Sequence, residues 1–211
     1  MTDPHKNQPT LRLGPKLEEA QAAVILLHGR GASAEDILGL APEFDLPNIA
    51  WLAPEAANHA WYPNSFLVPT SENEPWLTSA LAKVQSTIDH ALAAGLPLNK
   101  IALCGFSQGA CLSTEFVARN PARYAALIAL TGGLIGTDHE AAILRTGDLA
   151  GTPVLLASGD PDPHIPWKRV ELSAEVLTKL GAPVTTQRYP GRSHTVTRDE
   201  IARARQILAT L

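Results

Sequence analysis

The chain has 211 residues, enough for one domain with a sizeable buried core. Hydrophobic residues make up 45% of it and charged residues 18%, which excludes a disordered chain. A formal net charge of -4, without any basic run, offers no footprint for nucleic acid or an anionic membrane, so a small molecule or a protein is the expected partner.

Residues 1–10 are polar and mixed in charge and lack the apolar centre of a signal peptide. No later apolar run approaches the ~20 residues that span a bilayer, so the expectation is a cytoplasmic protein without stable membrane insertion. Thr10-Leu11-Arg12-Leu13 reads as a short edge strand, and the run 23–27 (AVILL) as a strand buried on both faces of a parallel sheet. The loop His28-Gly29-Arg30-Gly31-Ala32 follows, and Ser33 opens a short helix expected to end near Ala41-Pro42.

Residues 49–53 give the next strand. The stretch 55–75 has no helical period, and loops of that length are usually functional or disordered. It holds Trp61, Tyr62 and Phe66, with Trp76 just beyond, and this clustering argues for order over something apolar. Leu77, Leu81, Val84, Ile88 and Leu92 then share one face of a helix that stops at Gly95 and Pro97.

Ile101 to Cys104 is a short apolar run that meets Gly105-Phe106-Ser107-Gln108-Gly109, and a helix-compatible segment follows. A G-x-S-x-G pentapeptide means little alone, but between a strand and a helix it is the turn that exposes a serine at its apex. Strands are expected at 124–130 and 154–157, with at most a short helix in 132–151. Val170, Ala174, Leu177 and Leu180 mark a further helix, 184–189 an edge strand, and Ile201, Ala204, Leu208 and Leu211 the closing helix. This alternation predicts a single α/β domain over 1–211, a doubly wound, mostly parallel sheet with helices on both faces. Ligands of such sheets bind beyond the carboxyl ends of the strands, so one rim collects the loops at 28–32, 105–109, 158–166 and 191–194.

A serine hydroxyl needs a base, and the base an orienting carboxylate, in the chain order Ser, acid, His. Ser107, then Asp160 or Asp162, then His194 supply that order, each just after an expected strand. Of the seven histidines, His5 lies in the polar tail, His90 within a helix and His139 in a loop before the acid; His59 belongs to the aromatic loop and His164 follows Asp162 closely. His194 is the best-placed base. Residue chemistry leaves both aspartates open: Asp160 could hold the turn, whereas Asp162 stands between two prolines that fix its backbone. An oxyanion hole is expected from the backbone N–H of Gln108, at a helix start, and that of Arg30, between glycines. His28 is read as a loop brace rather than a second base. Cys104 and Cys111 have no metal-site spacing and read as small buried apolar residues, so neither a metal nor a cofactor is expected.

Leu26-Leu27-His28-Gly29-Arg30-Gly31, the pentapeptide at Ser107, Gly159-Asp160-Pro161-Asp162-Pro163-His164-Ile165-Pro166 and Gly191-Arg192-Ser193-His194 together resemble the signature loops of the phospholipase/carboxylesterase family of α/β-hydrolases, which includes acyl-protein thioesterases. The resemblance runs from about residue 24 to the C-terminus. It implies the α/β-hydrolase fold and selects Asp162, the aspartate three residues after the glycine, as the acid, with Arg30 and Gln108 as oxyanion donors. Trp61-Tyr62-Pro63-Asn64-Ser65-Phe66 is similar to bacterial carboxylesterase-like members.

The expected activity is metal-free hydrolysis of small, short-chain or aromatic carboxylic esters, with His59, Trp61, Tyr62, Phe66 and Ile165 as substrate contacts. Alternatives are a thioesterase or lysophospholipase for longer acyl chains, a lactone hydrolase, and a noncatalytic binder that kept the fold. A dinucleotide enzyme is disfavoured because His28-Gly29-Arg30-Gly31 lacks the G-x-G-x-x-G spacing. Beyond the small-molecule ester, the one partner left open is a second copy in a homodimer.

Overall fold

In the computed structural model, which describes residues 3–211, the apolar runs pair into one seven-stranded sheet. Along the chain come β1 (Thr10–Leu13), β2 (Ala22–Leu27), the short helices α1 (Ala34–Leu38) and α2 (Ala41–Phe44), β3 (Ile49–Pro54), α3 (Trp76–Ala93) and β4 (Ile101–Phe106). There follow α4 (Gln108–Arg119), β5 (Leu127–Leu130), α5 (Asp138–Ala142), β6 (Val154–Asp160), α6 (Trp167–Lys179), β7 (Val184–Pro190) and α7 (Arg198–Leu208). Strand order is β1-β3-β2-β4-β5-β6-β7, with β1 antiparallel to β3 and every other pair parallel.

Strand β2 shows why its sequence is apolar throughout. Ala23, Ile25 and Leu27 face one core, with α3, α4 and α6, while Ala22, Val24 and Leu26 face the other, with α1, α2 and α7. A strand covered by helices on both sides cannot alternate with polar residues. The edge strand β7 is half-exposed and correspondingly polar. From β2 the chain winds outward to β3, then crosses back to β4 on the opposite side. The carboxyl ends of β2 and β4 therefore flank the point where strand order reverses, and the crevice there is where such sheets hold ligands.

Three expectations shift. The strand expected over 124–130 begins only at Leu127: Tyr124, Ala125 and Ala126 are buried, and Ala125 and Ala126 bond the backbone of β4, but pairing with β6 starts at Leu127. The helix after Ser33 stops at Leu38, and α2 starts over Pro42, a residue that fits a first helical turn but not a helix interior. The stretch 55–75, read as lacking helical period, carries two single 3-10 turns, Ala57–His59 and Thr70–Asn73. Among the described residues, no helix is long and apolar enough to cross a membrane.

Candidate active site

Ser107 sits between β4 and α4 with φ 53° and ψ -118°. A non-glycine residue there costs on the order of 1–3 kcal/mol, so the surroundings must hold it. Its N–H donates to Leu130 O at 3.0 Å and its carbonyl accepts from Cys111 N–H at 3.0 Å. The flanking glycines permit the approach. A Cβ on Gly105 would lie 2.4 Å from Gly109 C, and one on Gly109 would lie 2.0 Å from Leu27 O, so helix α4 packs directly on the backbone of β2 and β4.

His194 reaches Ser107 from the loop after β7, with Nε2 2.8 Å from Oγ. Its Nδ1 lies 2.9 Å from Asp162 Oδ2 and 3.1 Å from Oδ1. The Asp162 carboxylate is fully buried, and its Oδ1 accepts the N–H groups of His164 and Ile165, each at 2.9 Å. Burial works to raise its pKa, but those two N–H groups and the His194 ring outweigh it and hold the carboxyl below its usual range. An ionised Asp162 only accepts, which assigns the proton to Nδ1 and leaves Nε2 free to accept from the serine hydroxyl. That is the geometry general-base activation of Ser107 requires. Asp160 instead ion-pairs with Arg188, and its carbonyl accepts Gly191 N–H at 2.9 Å, holding the turn that leads to His194.

The His194 loop has a support that the sequence did not disclose. The Arg192 guanidinium donates to Thr131 Oγ1 at 2.7 Å and to Thr195 O, lies 3.5 Å from the buried Glu200 carboxylate and covers the Tyr189 ring at 5.5 Å. Phe106 and His164 flank the imidazole, with ring centroids 5.1 and 4.9 Å away. The pattern Thr197-x-x-Glu200, a capping box at the start of α7, was the one readable hint of this arrangement.

A cavity of about 620 Å³ opens at Ser107. Arg30, Gln108, Tyr62, Phe66 and Ile165 line it, whereas His59 and Trp61 do not. Trp61 is wholly buried, with Nε1 donating to His28 O at 2.9 Å, and the exposed His59 contacts Ala32 O at 3.2 Å. Both fasten the aromatic loop to the 28–32 loop rather than facing the cavity. Leu67 and Phe106 also line the cavity and were not singled out in the sequence.

Among the described residues, neither the Arg30 nor the Gln108 backbone N–H donates to a protein acceptor. Their side chains hold the aromatic loop instead. Gln108 Oε1 accepts Trp61 N–H at 2.9 Å and its Nε2 donates to Tyr62 O at 2.8 Å, while Arg30 donates to Pro63 O and Asn64 O, each at 2.7 Å.

His28 is buried, with Nδ1 2.8 Å from Gly29 O and Nε2 accepting Ala56 N–H at 3.1 Å. Burial pushes its pKa down, so it braces the loop as a neutral ring. His5, in the polar tail, is part of the core. It is fully buried between Trp61 and Trp76, its Nε2 bonds Trp61 O at 3.0 Å and its Nδ1 accepts Ala57 N–H at 3.0 Å. No pattern in residues 1–10 signals this, since the partners lie more than 50 positions away. Among the described residues, no group of three His, Cys, Asp or Glu is placed to hold a metal.

Comparison with known proteins gives this chain relatives. The sequence model of the family described as Phospholipase/Carboxylesterase matches residues 11–211. The crystal structure of a phospholipase/carboxylesterase from Dyadobacter fermentans DSM 18053 superposes with a TM-score of 0.91 at 40% identity, covering 96% of this chain and 97% of that one. Among curated proteins, acyl-protein thioesterase 1 of Cryptococcus neoformans is 28% identical over 221 residues, spanning 90% of this chain and 92% of the relative. A probable carboxylesterase of Arabidopsis thaliana, SOBER1-like, is 26% identical over 199 residues, spanning 86% and 76%.

Proposed function

The chain belongs to the phospholipase/carboxylesterase family of α/β-hydrolases, and from that premise we propose that it is a serine carboxylesterase acting on small, short-chain or aromatic esters. The observation that carries the reading is the 2.8 Å contact between Ser107 Oγ and a His194 ring tethered to Asp162, at the mouth of the cavity. His194 takes the hydroxyl proton as Oγ attacks the ester carbonyl carbon. The tetrahedral oxyanion accepts from the Arg30 and Gln108 N–H groups, which have no protein acceptor among the described residues. Collapse expels the alcohol, which leaves with the proton from His194. Water then attacks the acyl-enzyme with His194 again as base, the acid departs and Ser107 regains its proton. Asp162 orients the ring and stabilises its charged form.

Substrate size rests on the cavity. At about 620 Å³ it falls in the range of small-molecule sites, and Tyr62, Phe66, Phe106 and Ile165 offer apolar walls to a short alkyl or aromatic group. The thioester reading is supported by the likeness to acyl-protein thioesterase 1. Matched oxygen esters and thioesters of increasing acyl length separate the two. The expected result is a kcat/KM that peaks at short chains and favours oxygen esters, and a steady rise toward long-chain thioesters would overturn it.

A further inference from the structure

The charge around the cavity runs against the charge of the molecule. The chain carries a net -4, yet among the described residues lining the cavity the ionisable groups are Arg30, His164, His194, Tyr62 and Cys111, and none is a carboxylate. Asp162, the nearest acid in sequence, is fully buried behind His194 and engaged by it and by two N–H groups. Glu55 does not line the cavity; it lies 3.3 Å from His28 and 3.7 Å from His59, and accepts Ala34 N–H at 2.8 Å.

Arg30 is the fixed charge of this wall. Most other arginines face a carboxylate, as Arg119 and Arg145 do at Glu115 and Arg203 does at Asp199. Among the described residues Arg30 faces none, and its two side-chain bonds go to the carbonyls of Pro63 and Asn64. A guanidinium has five N–H donors, so three remain. Those two bonds hold the exposed guanidinium beside Pro63 and Asn64, which line the cavity together with Arg30, with the Tyr62 ring 6.0 Å away, and leave its charge without a carboxylate. A guanidinium that no carboxylate pairs, with donors to spare, can capture a substrate carboxylate in bidentate fashion.

Resting on the esterase reading above, we propose that Arg30 forms an anion subsite and that the preferred substrates are esters carrying a second, ionised carboxylate, such as half-esters of short dicarboxylic acids. The scissile carbonyl binds at Ser107 while the free carboxylate meets the Arg30 fork. Tyr62 and Phe66 enclose the apolar atoms between them. The side chain of Arg30 thereby selects the substrate whose oxyanion its backbone stabilises.

The test compares ethyl hydrogen adipate with the ethyl ester of adipic acid monoamide, which differ essentially in one charge, by ethanol release. Wild type is expected to favour the anion in kcat/KM by about tenfold or more, the effect of one charge-assisted hydrogen bond. Raising ionic strength from about 0.01 M to about 1 M, which cuts the screening length from about 30 to about 3 Å, should shrink that preference. Arg30→Met should bring the ratio to about one, and Arg30→Lys, which keeps the charge but not the fork, should retain part of it.

A wild-type ratio of one or less, with the neutral ester turned over readily, overturns the anion subsite and leaves the esterase reading standing. Equal loss in Arg30→Lys and Arg30→Met also overturns it, because the residue then acts by holding residues 63–64 rather than by its charge. Hydrolysis of neither ester takes the inference down together with the reading it rests on.

Discussion

Replacing Gly109 by alanine should damage both stability and turnover, through one collision. The added Cβ would lie 2.0 Å from Leu27 O, 2.4 Å from Leu27 C and 2.6 Å from His28 O. All three are backbone atoms at the end of β2, so no side chain can rotate away. Restoring an ordinary contact of ~3.5 Å requires α4 to back off the sheet by roughly an ångström or more. Overpacking typically costs ~1–3 kcal/mol, and an obstacle made of backbone puts this case near the top, at about 3 kcal/mol.

For a chain of this size that lowers Tm by roughly 6–12 °C. The same displacement moves the Gln108 N–H and Ser107, and loss of one oxyanion donor costs about 10²–10³ in kcat. Gly191→Ala is the control. Its Cβ would meet nothing within 4 Å, and only the φ of +70° opposes it, at about 1–2 kcal/mol. Thermal unfolding by circular dichroism and hydrolysis of a short chromogenic ester measure the two effects. A Gly109→Ala protein with Tm within about 2 °C of wild type and undiminished kcat would refute the packing argument.

Other perturbations reach different parts of the account. Burial pushes the thiols of Cys104 and Cys111 up to about 12, so iodoacetamide at about pH 8 should leave both unmodified in the folded protein and alkylate both in denaturant. Alkylation of native Cys111 would mean that its wall of the cavity opens. Burial lowers the pKa of His5 and His28 below 6.5, so in acid the unfolded chain binds protons that the folded one does not. Stability contributed by these neutral rings is complete above about pH 6.5 and is lost as pH falls below it, so Tm should drop from about pH 7 to about pH 5, less steeply in His5→Gln. A flat Tm over that window would contradict the burial of both rings. Arg192→Met strips Glu200 of its cation and frees the His194 loop, which should cost about 3 kcal/mol and lower kcat more than it raises KM. An unchanged kcat would show that His194 is positioned without it.

The sheet was legible because its central strands are buried on both faces, which forces unbroken apolar runs at β2, β3, β4 and β6. The loops carrying Ser107, Asp162 and His194 were legible for a related reason. Each follows a strand, and a parallel sheet sends all strand ends to one rim. Residues that act through distant partners left little trace. Arg192 finds Thr131 61 positions away, and Trp61 finds Gln108 47 positions away. The aromatics of the 55–75 stretch announced an ordered loop, but only folding separates Tyr62 and Phe66, which face the cavity, from Trp61, which anchors the loop beneath it. His5 was hidden most completely, because a short polar segment gives no sign that it will be tucked under two tryptophans.

The central claim is that Ser107 is a nucleophile activated by His194. Treatment with a fluorophosphonate followed by intact-mass and peptide mapping tests it most directly. Wild type should gain one adduct, on Ser107, Ser107→Ala should gain none, and His194→Ala should react slower by orders of magnitude. Equal labelling of wild type and Ser107→Ala, or an adduct mapped to another residue, would contradict the assignment.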